Sequence, residues 1–271
     1  MFFVIYELAL HLLALFTLPI LFYRYLAKKR YRQSFALRFG RGYPAIEKKE
    51  RFCIWIHAVS VGETKAVAPL VKMIRVFYPE ALLVVSSITE MGHAEAEKSI
   101  PEADHYVYLP FDFIYVIKPI IKKAQPDLVI LCETDFWINF QKEAKRVGAH
   151  LVLVNGKISE KSLQRHLIFP WASKRLFMDI DLFCVQSLLH KERFERAGVA
   201  KEKVIATGNL KLDNDYPSMP EEEKRKWMKS LGIDLDDRVL VVGSTHSPEE
   251  KMIMESLQEV KGVHPKLRII L

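Results

Sequence analysis

Apolar and polar positions divide the chain into three regimes. From Phe2 to Phe22 apolar residues run almost unbroken, interrupted by Glu7, His11 and Thr17. Past residue 51, short apolar runs alternate with stretches of helical period. The runs predict strands over Phe52–His57, Leu82–Ser86, His105–Leu109, Leu128–Cys132, Leu151–Asn155, Leu182–Val185, Val204–Thr207, Val239–Gly243 and Leu267–Leu271. Helices are expected near 63–77, 90–99, 112–124, 136–147, 187–197, 220–231 and 248–260. This alternation marks right-handed βαβ units on a parallel sheet. Runs such as DLVILC and HLVLVN are apolar at nearly every position, as strands covered on both faces should be. In the third regime DNDYPSMPEE, with two prolines, reads as a linker. The strand–helix–strand pattern that follows Asp237 is too short to make a domain alone. The expected organisation is a membrane anchor over 1–27, a basic segment over 28–51, a Rossmann-like α/β domain over 52–212, a connecting stretch over 213–235 and the start of a second Rossmann-like domain over 236–271, incomplete at Leu271.

Charge sharpens this picture. The net +7 is concentrated in residues 24–51, where ten Lys or Arg face only Glu47 and Glu50, a local +8. The remainder of the body carries equal numbers of each sign, which argues against a nucleic-acid footprint. A basic block behind an apolar run points to an anionic membrane surface. Twenty-one residues at about 1.5 Å each just cross a hydrocarbon core of roughly 30 Å, and the Lys/Arg bias puts the body on the cytoplasmic side. Length favours a spanning helix; the other arrangement is a helix lying in the interface with Glu7 and His11 facing headgroups. Positive charge behind the run, and no small-residue cleavage site, speak against a signal peptide. Cys53, Cys132 and Cys184 each sit in an apolar run, which suits reduced core residues, and no Cys/His spacing suggests a metal.

In open α/β sheets ligands bind beyond the carboxyl ends of the strands, and four polar clusters stand there. Glu63 in HAVSVGE would project from a helix start into the cleft, although Ser60-x-x-Glu63 is equally a capping box in which Glu63 serves the Ser60 amide. Glu133-Thr134-Asp135 offers two carboxylates for acid–base or electrostatic work, or a helix start capped by Thr134. Lys211 in TGNLK could meet a phosphate, but a lone lysine in a turn is ordinarily just solvated. After the second domain's first strand, Ser244, Thr245 and His246 precede an expected helix start at Ser247-Pro248 with Glu250 behind it, a place where a nucleotide phosphate could bind. No GxGxxG or P-loop pattern occurs. His57, at a strand end, reads as a hydrogen-bonded structural residue before a catalytic one.

These clusters, in this order, resemble the Kdo transferases of lipopolysaccharide assembly. The resemblance rests on IWIHAVSVGE at 54–63, SSITEMG at 86–92, YLPFD at 108–112, PDLVILCETDFWIN at 126–139, NGKISEKS at 155–162, VQS at 185–187, TGNLKLD at 207–213 and GSTHSPEE at 243–250. It implies a two-domain GT-B fold, an N-terminal domain for a lipid A precursor (lipid IVA) and a C-terminal domain for the donor CMP-Kdo. It also implies Glu63 as general base, Glu133 and Lys211 as transition-state stabilisers, and a place at the bacterial inner membrane. Two departures are Trp137-Ile138-Asn139 for WPN, and Asn155-Gly156-Lys157 for NAR, where a forked guanidinium becomes a point charge. CMP is a good leaving group, so the expected displacement is single, inverting and without an obligatory metal or cofactor. The rival readings are a GT-B enzyme using a UDP-sugar, a truncated membrane-bound lipid-binding module without turnover, and a nucleotide-sugar epimerase, which would have no reason to carry an anchor.

Overall fold

A computed structural model describes residues 2–27, 34–134, 136–213 and 218–270. Asp135, Lys28, Lys29, Arg30 and Arg32 of the basic segment, residues 214–217 of the expected linker, and Leu271 lie outside the described residues. The chain divides into two compact units, Met1–Asn214 and Asp215–Leu271.

The first unit is built on seven parallel strands: β1 (Cys53–His57), β2 (Leu82–Ser87), β3 (His105–Tyr108), β4 (Leu128–Cys132), β5 (His150–Gly156), β6 (Leu182–Val185) and β7 (Val204–Ala206). Their order is β3-β2-β1-β4-β5-β6-β7. The chain winds outward from β1 to β3, returns, and winds the other way from β4, so strand order reverses between β1 and β4. With right-handed crossovers this reversal puts helices on opposite faces. Helices α3 (Val61–Phe77) and α4 (Glu90–Ser99) cover one face, where Val67, Val71, Ala96 and Ile100 pack on Ile54, Ile56, Leu83 and Val85. Helices α5 (Ile114–Ala124), α6 (Ile138–Arg146), α7 (Glu160–Ile168), α8 (Pro170–Phe177) and α9 (Leu188–Arg196) belong with the other, where Ile117, Phe140, Leu163, Phe177 and Phe194 meet Trp55, Leu131, Leu153 and Phe183. The outcome is the expected Rossmann-like parallel sheet. Strands as apolar as β1 are buried at every position because helices cover both sides.

Three local expectations need correction. No helix was expected between β5 and β6, yet α7 and α8 fill the gap. Exposed Leu167, Ile168, Phe169 and Trp171 blur their apolar stripe, and Pro170 splits the run in two. Thr134 does not cap α6, which begins only at Ile138 and has no side-chain cap of its own. Asp112, from the YLPFD motif, reaches over instead and accepts the Asn139 and Phe140 amides at 2.9 Å each. Finally, α1 (Phe2–Ala27), the apolar N-terminal helix, does not turn Glu7 away from the protein. The Glu7 carboxylate accepts hydrogen bonds from the Ile114 amide and the Asn139 side chain, and Tyr6 Oη donates to Asp112 at 2.7 Å. The short helix α2 (Ser34–Arg38) follows, with Arg38 donating to the Leu109 carbonyl.

The second unit holds α10 (Glu221–Leu231), closed by Gly232 in the left-handed region, then β8 (Arg238–Val241), α11 (Glu249–Val263) and β9 (Leu267–Ile270). Strands β8 and β9 pair in parallel, so this is one βαβ crossover, and all four residues of β8 are exposed.

Candidate functional site

The carboxyl ends of β1 and β4 flank the point where strand order reverses, the crevice at which open α/β sheets take ligands. Glu63 enters it from the β1 side. Ser60 caps α3, its hydroxyl oxygen accepting from the Glu63 amide at 3.4 Å. The Glu63 carboxylate folds back to accept from the Val59 amide at 2.8 Å and the Ser60 hydroxyl at 2.9 Å. This is one residue off the expected box, in which the Ser60 amide would be the donor. Glu63 is thus both a helix-start residue and a buried acid. Burial, with a contribution from the nearby Glu133 charge, holds its pKa above the ordinary carboxylate value against those two hydrogen bonds and the Lys157 charge.

Glu133 enters from β4 with a backbone that few residues tolerate, φ +62°. A non-glycine residue in the left-handed region stores roughly 1 kcal/mol or more of strain. The turn aims a carboxylate that is only 9% exposed between two cations, Lys157 from the end of β5 and Lys211 from the turn after β7. Lys211 Nζ stands 3.0 Å from one Glu133 oxygen, and Lys157 ion-pairs with the other. Burial alone would raise the Glu133 pKa; the hydrogen bonds and charges of the two lysines outweigh it and hold the group below the ordinary range.

The lysines are brought in by neighbouring backbone. Asn155, also left-handed (φ +54°), accepts the Leu210 amide on its side-chain oxygen at 3.1 Å, which pins the turn bearing Lys211. That turn, Leu210–Leu212, folds over the sheet end to pack against α3. Gly156 lets the chain pass Val185 and Leu153, whose methyl carbons stand 3.0 Å from where a Cβ would be. The expectation of a merely solvated Lys211 therefore gives way to an ion pair, although both lysine side chains remain a little under half exposed. Two cations around one carboxylate leave a net positive charge beside Glu63. The surroundings push the two carboxylates' pKa values apart, Glu63 up and Glu133 down, an arrangement that can pair a proton acceptor with a partner that stays ionised.

His57 is 1% exposed, hydrogen-bonds Ser86 through Nδ1, and is kept neutral by burial, its pKa pushed down to about 3. It supports the strand end and is sealed from the crevice. Among the described residues no cluster of His, Cys, Asp or Glu has the arrangement of a metal site. In the second unit, Ser244 is left-handed at φ +62°, Thr245 Oγ1 donates to Glu250 at 2.9 Å, and the His246 amide donates to Glu249 at 2.9 Å. The expected Ser247 cap does not form: α11 starts at Glu249 behind Pro248, and its first two carboxylates bond back to Thr245 and His246.

A family model described as 3-deoxy-D-manno-octulosonic-acid transferase (Kdo transferase) matches residues 33–214. The chain belongs to the Kdo transferase family. Curated 3-deoxy-D-manno-octulosonic acid transferases are similar over most of its length: that of Chlamydophila psittaci is 35% identical across 90% of this chain and 56% of its own, and that of Haemophilus influenzae is 29% identical across 89% and 56%. This chain therefore spans a little over half the length of these relatives. Among solved structures it is similar to a UDP-N-acetylglucosamine 2-epimerase from Listeria monocytogenes (TM-score 0.56, 15% identity, 81% of this chain and 61% of that one). A glycosyltransferase from Rickettsia africae is similar too (TM-score 0.54, 13% identity, 82% and 68%). At such identities the structural likeness speaks for the GT-B fold alone.

Within the family frame, Glu63, Glu133 and Lys211 are the residues that the motifs single out, and the fold brings all three to one strand-end crevice. The sequence did not single out Lys157, noted only as a departure from a more frequent arginine, nor Asp112, whose place in YLPFD gave no hint that it caps a helix 27 residues further on. A signal for Lys157 did exist: it follows directly on an Asn-Gly pair at a strand end, where the backbone turns toward the crevice.

Proposed function

We propose that this chain is the acceptor-side portion, with the beginning of the donor side, of an enzyme that transfers Kdo from CMP-Kdo to a lipid A precursor, lipid IVA, at the cytoplasmic face of the bacterial inner membrane. The observation carrying this reading is the convergence of Glu63, Glu133, Lys157 and Lys211 at the switch point of a Kdo transferase family fold. In the reaction an acceptor hydroxyl oxygen attacks the anomeric carbon of Kdo while the bond from that carbon to the CMP phosphate oxygen breaks. The electron pair leaves with CMP, and the hydroxyl proton passes to Glu63. One displacement from the face opposite the leaving group inverts the anomeric centre. Glu63 suits the task because its raised pKa makes it a better proton acceptor than an exposed carboxylate. Lys211 and Lys157, oriented by Glu133, place positive charge where negative charge builds up in the transition state. Ser244, Thr245 and His246 are assigned to the donor's nucleotide, and helix α1 with its basic neighbours to the anionic membrane.

The test is transfer by a version of the protein carrying a complete second domain, with CMP-Kdo and UDP-sugars offered separately beside lipid IVA. The expected result is a product heavier by one or more Kdo units from CMP-Kdo alone. Transfer from a UDP-sugar would replace this reading with the other GT-B reading, and tight lipid binding with no turnover from any donor would replace it with a binding module.

A further inference from the structure

Helix α1 is not placed as a bilayer-crossing segment would be. Half-buried Phe3, Tyr6, Glu7, Leu10, Ala14, Thr17 and Leu18 recur at helical spacing on one stripe, with Phe2 half-buried beside its start. The first three turns of that stripe are fastened to the folded body. Besides the Tyr6–Asp112 and Glu7–Asn139 bonds, the His11 ring stands edge-on to Phe113 with centroids 5.0 Å apart. Phe2 meets Trp171 of α8 edge-on at 5.9 Å. Phe3 lies beneath two cations, Lys142 Nζ at 3.7 Å and Arg175 Cζ at 4.2 Å from its ring centre. A helix crossing the hydrocarbon with its basic end on the body's side would hold Phe2 roughly 30 Å away, across the membrane. Here Phe2 touches the body, Tyr6 and Glu7 bond to it, and the His11 ring and the Thr17 hydroxyl are satisfied within the helix by the Glu7 and Leu13 carbonyls.

The side of α1 away from the body offers only apolar groups: Val4, Leu8, Leu12, Leu15 and Phe16 are 58–71% exposed. Through Phe2 and Trp171 this face continues onto the α7–α8 corner, where Ile168 (66%), Phe169 (56%) and Trp171 (59%) stand out into solvent. An apolar helix face, an aromatic-tipped corner beside it, a bordering cation at Lys142 and a +8 segment after the helix together match an anionic lipid surface. A second copy of this chain would bring the same positive charge against itself.

We propose that α1 lies in the plane of the membrane–water interface, clamped to the body by Tyr6 and Glu7, and that the α7–α8 corner is a second element inserted into the same leaflet. This rests on the membrane association proposed above and is independent of which sugar is transferred. The test uses the full chain with vesicles of neutral lipid containing about 30% anionic lipid. The variant Ile168→Ser/Phe169→Ser/Trp171→Ser alters mostly exposed side chains and gives up only the Trp171–Phe2 ring contact, while the Tyr6 and Glu7 bonds still hold α1, so its melting temperature should stay within a few degrees of the wild type. Its vesicle affinity should fall about tenfold or more. In membrane vesicles of known orientation, a protease-cleavable tag placed ahead of Met1 should be cut from the side that carries the body. Unchanged affinity of the triple variant would overturn the second element. Cleavage from the opposite side would overturn the in-plane helix. Concentration-dependent dimerisation without vesicle binding would assign the apolar face to a second copy. No donor or acceptor sugar enters any of these measurements, so a failure of the transfer reading leaves them interpretable.

Discussion

Replacing Glu63 by glutamine separates the proposed chemistry from the architecture at a residue assigned to both. The carboxylate now accepts from the Val59 amide at 2.8 Å and the Ser60 hydroxyl at 2.9 Å. In Glu63→Gln the amide oxygen can keep the Val59 bond, and the amide nitrogen can donate to the Ser60 oxygen once that hydroxyl turns its hydrogen elsewhere. Each bond loses its ionic assistance, a loss of about 0.5–1 kcal/mol apiece. Against this, the variant no longer buries a charge that the site disfavours, as the raised pKa shows. The two effects offset, so stability should change by about 1 kcal/mol or less, a few degrees in melting temperature for a unit of this size. Proton acceptance is lost entirely, and turnover should drop by about 10² to 10⁴, or roughly 3–5 kcal/mol of barrier. The assay measures transfer from CMP-Kdo to lipid IVA in the version with a complete second domain, beside a thermal melt. The pH profile adds a second readout. Because Glu63 must be ionised to accept a proton and its pKa is raised, the wild-type rate should fall on the acid side at a pH above that of an ordinary carboxylate, and Glu63→Gln should lose that limb. Turnover within about threefold of wild type, with the fold intact, would refute the assignment of Glu63 as base.

Three further outcomes follow from the geometry. Glu133→Ala and Glu133→Gly both remove the carboxylate that Lys157 and Lys211 share, but only glycine is at ease at φ +62°, so the glycine variant should melt higher by about 1 kcal/mol equivalent; equal stabilities would mean that no strain is held there. The Glu133 pKa is depressed in the fold, so its contribution to stability is complete above the ordinary carboxylate range and is lost as pH falls through the lower folded value, a dependence absent from either variant in acid melts. Asp112→Ala leaves the Asn139 and Phe140 amides at the start of α6 without their acceptor and frees Tyr6, and should cost about 2–4 kcal/mol, with faster amide exchange at the start of α6 and in α1. Unchanged exchange in α1 would show that Tyr6 does not hold the helix to the body.

Much of this was legible in the sequence because it is locally encoded. The apolar runs gave β1 to β7 nearly to the residue; the central strands are apolar throughout because both faces are buried, and the edge strands β3 and β7, only partly covered, are short runs bounded by turns. The strand-end clusters put Glu63, Glu133 and Lys211 among the candidates, each beside an ordinary structural reading, and the family resemblance singled them out. What no local pattern contains is which strand ends become neighbours. The order β3-β2-β1-β4-β5-β6-β7 sets Glu63 and Glu133 on either side of the reversal, and the turn after β7 carries Lys211 to a carboxylate 78 residues earlier. Burial then decided the ionisation, raising the pKa of one glutamate while two lysines lowered that of the other. The same holds for the N-terminal helix. Its length and apolar character were plain from residues 2–22, but whether Glu7 met headgroups or protein depended on Asn139 and the Ile114 amide being there to receive it. Periodicity and turn chemistry act over a few residues and can be read in one dimension, whereas pairing between distant side chains, and the burial that sets their charge, exist only once the sheet has closed.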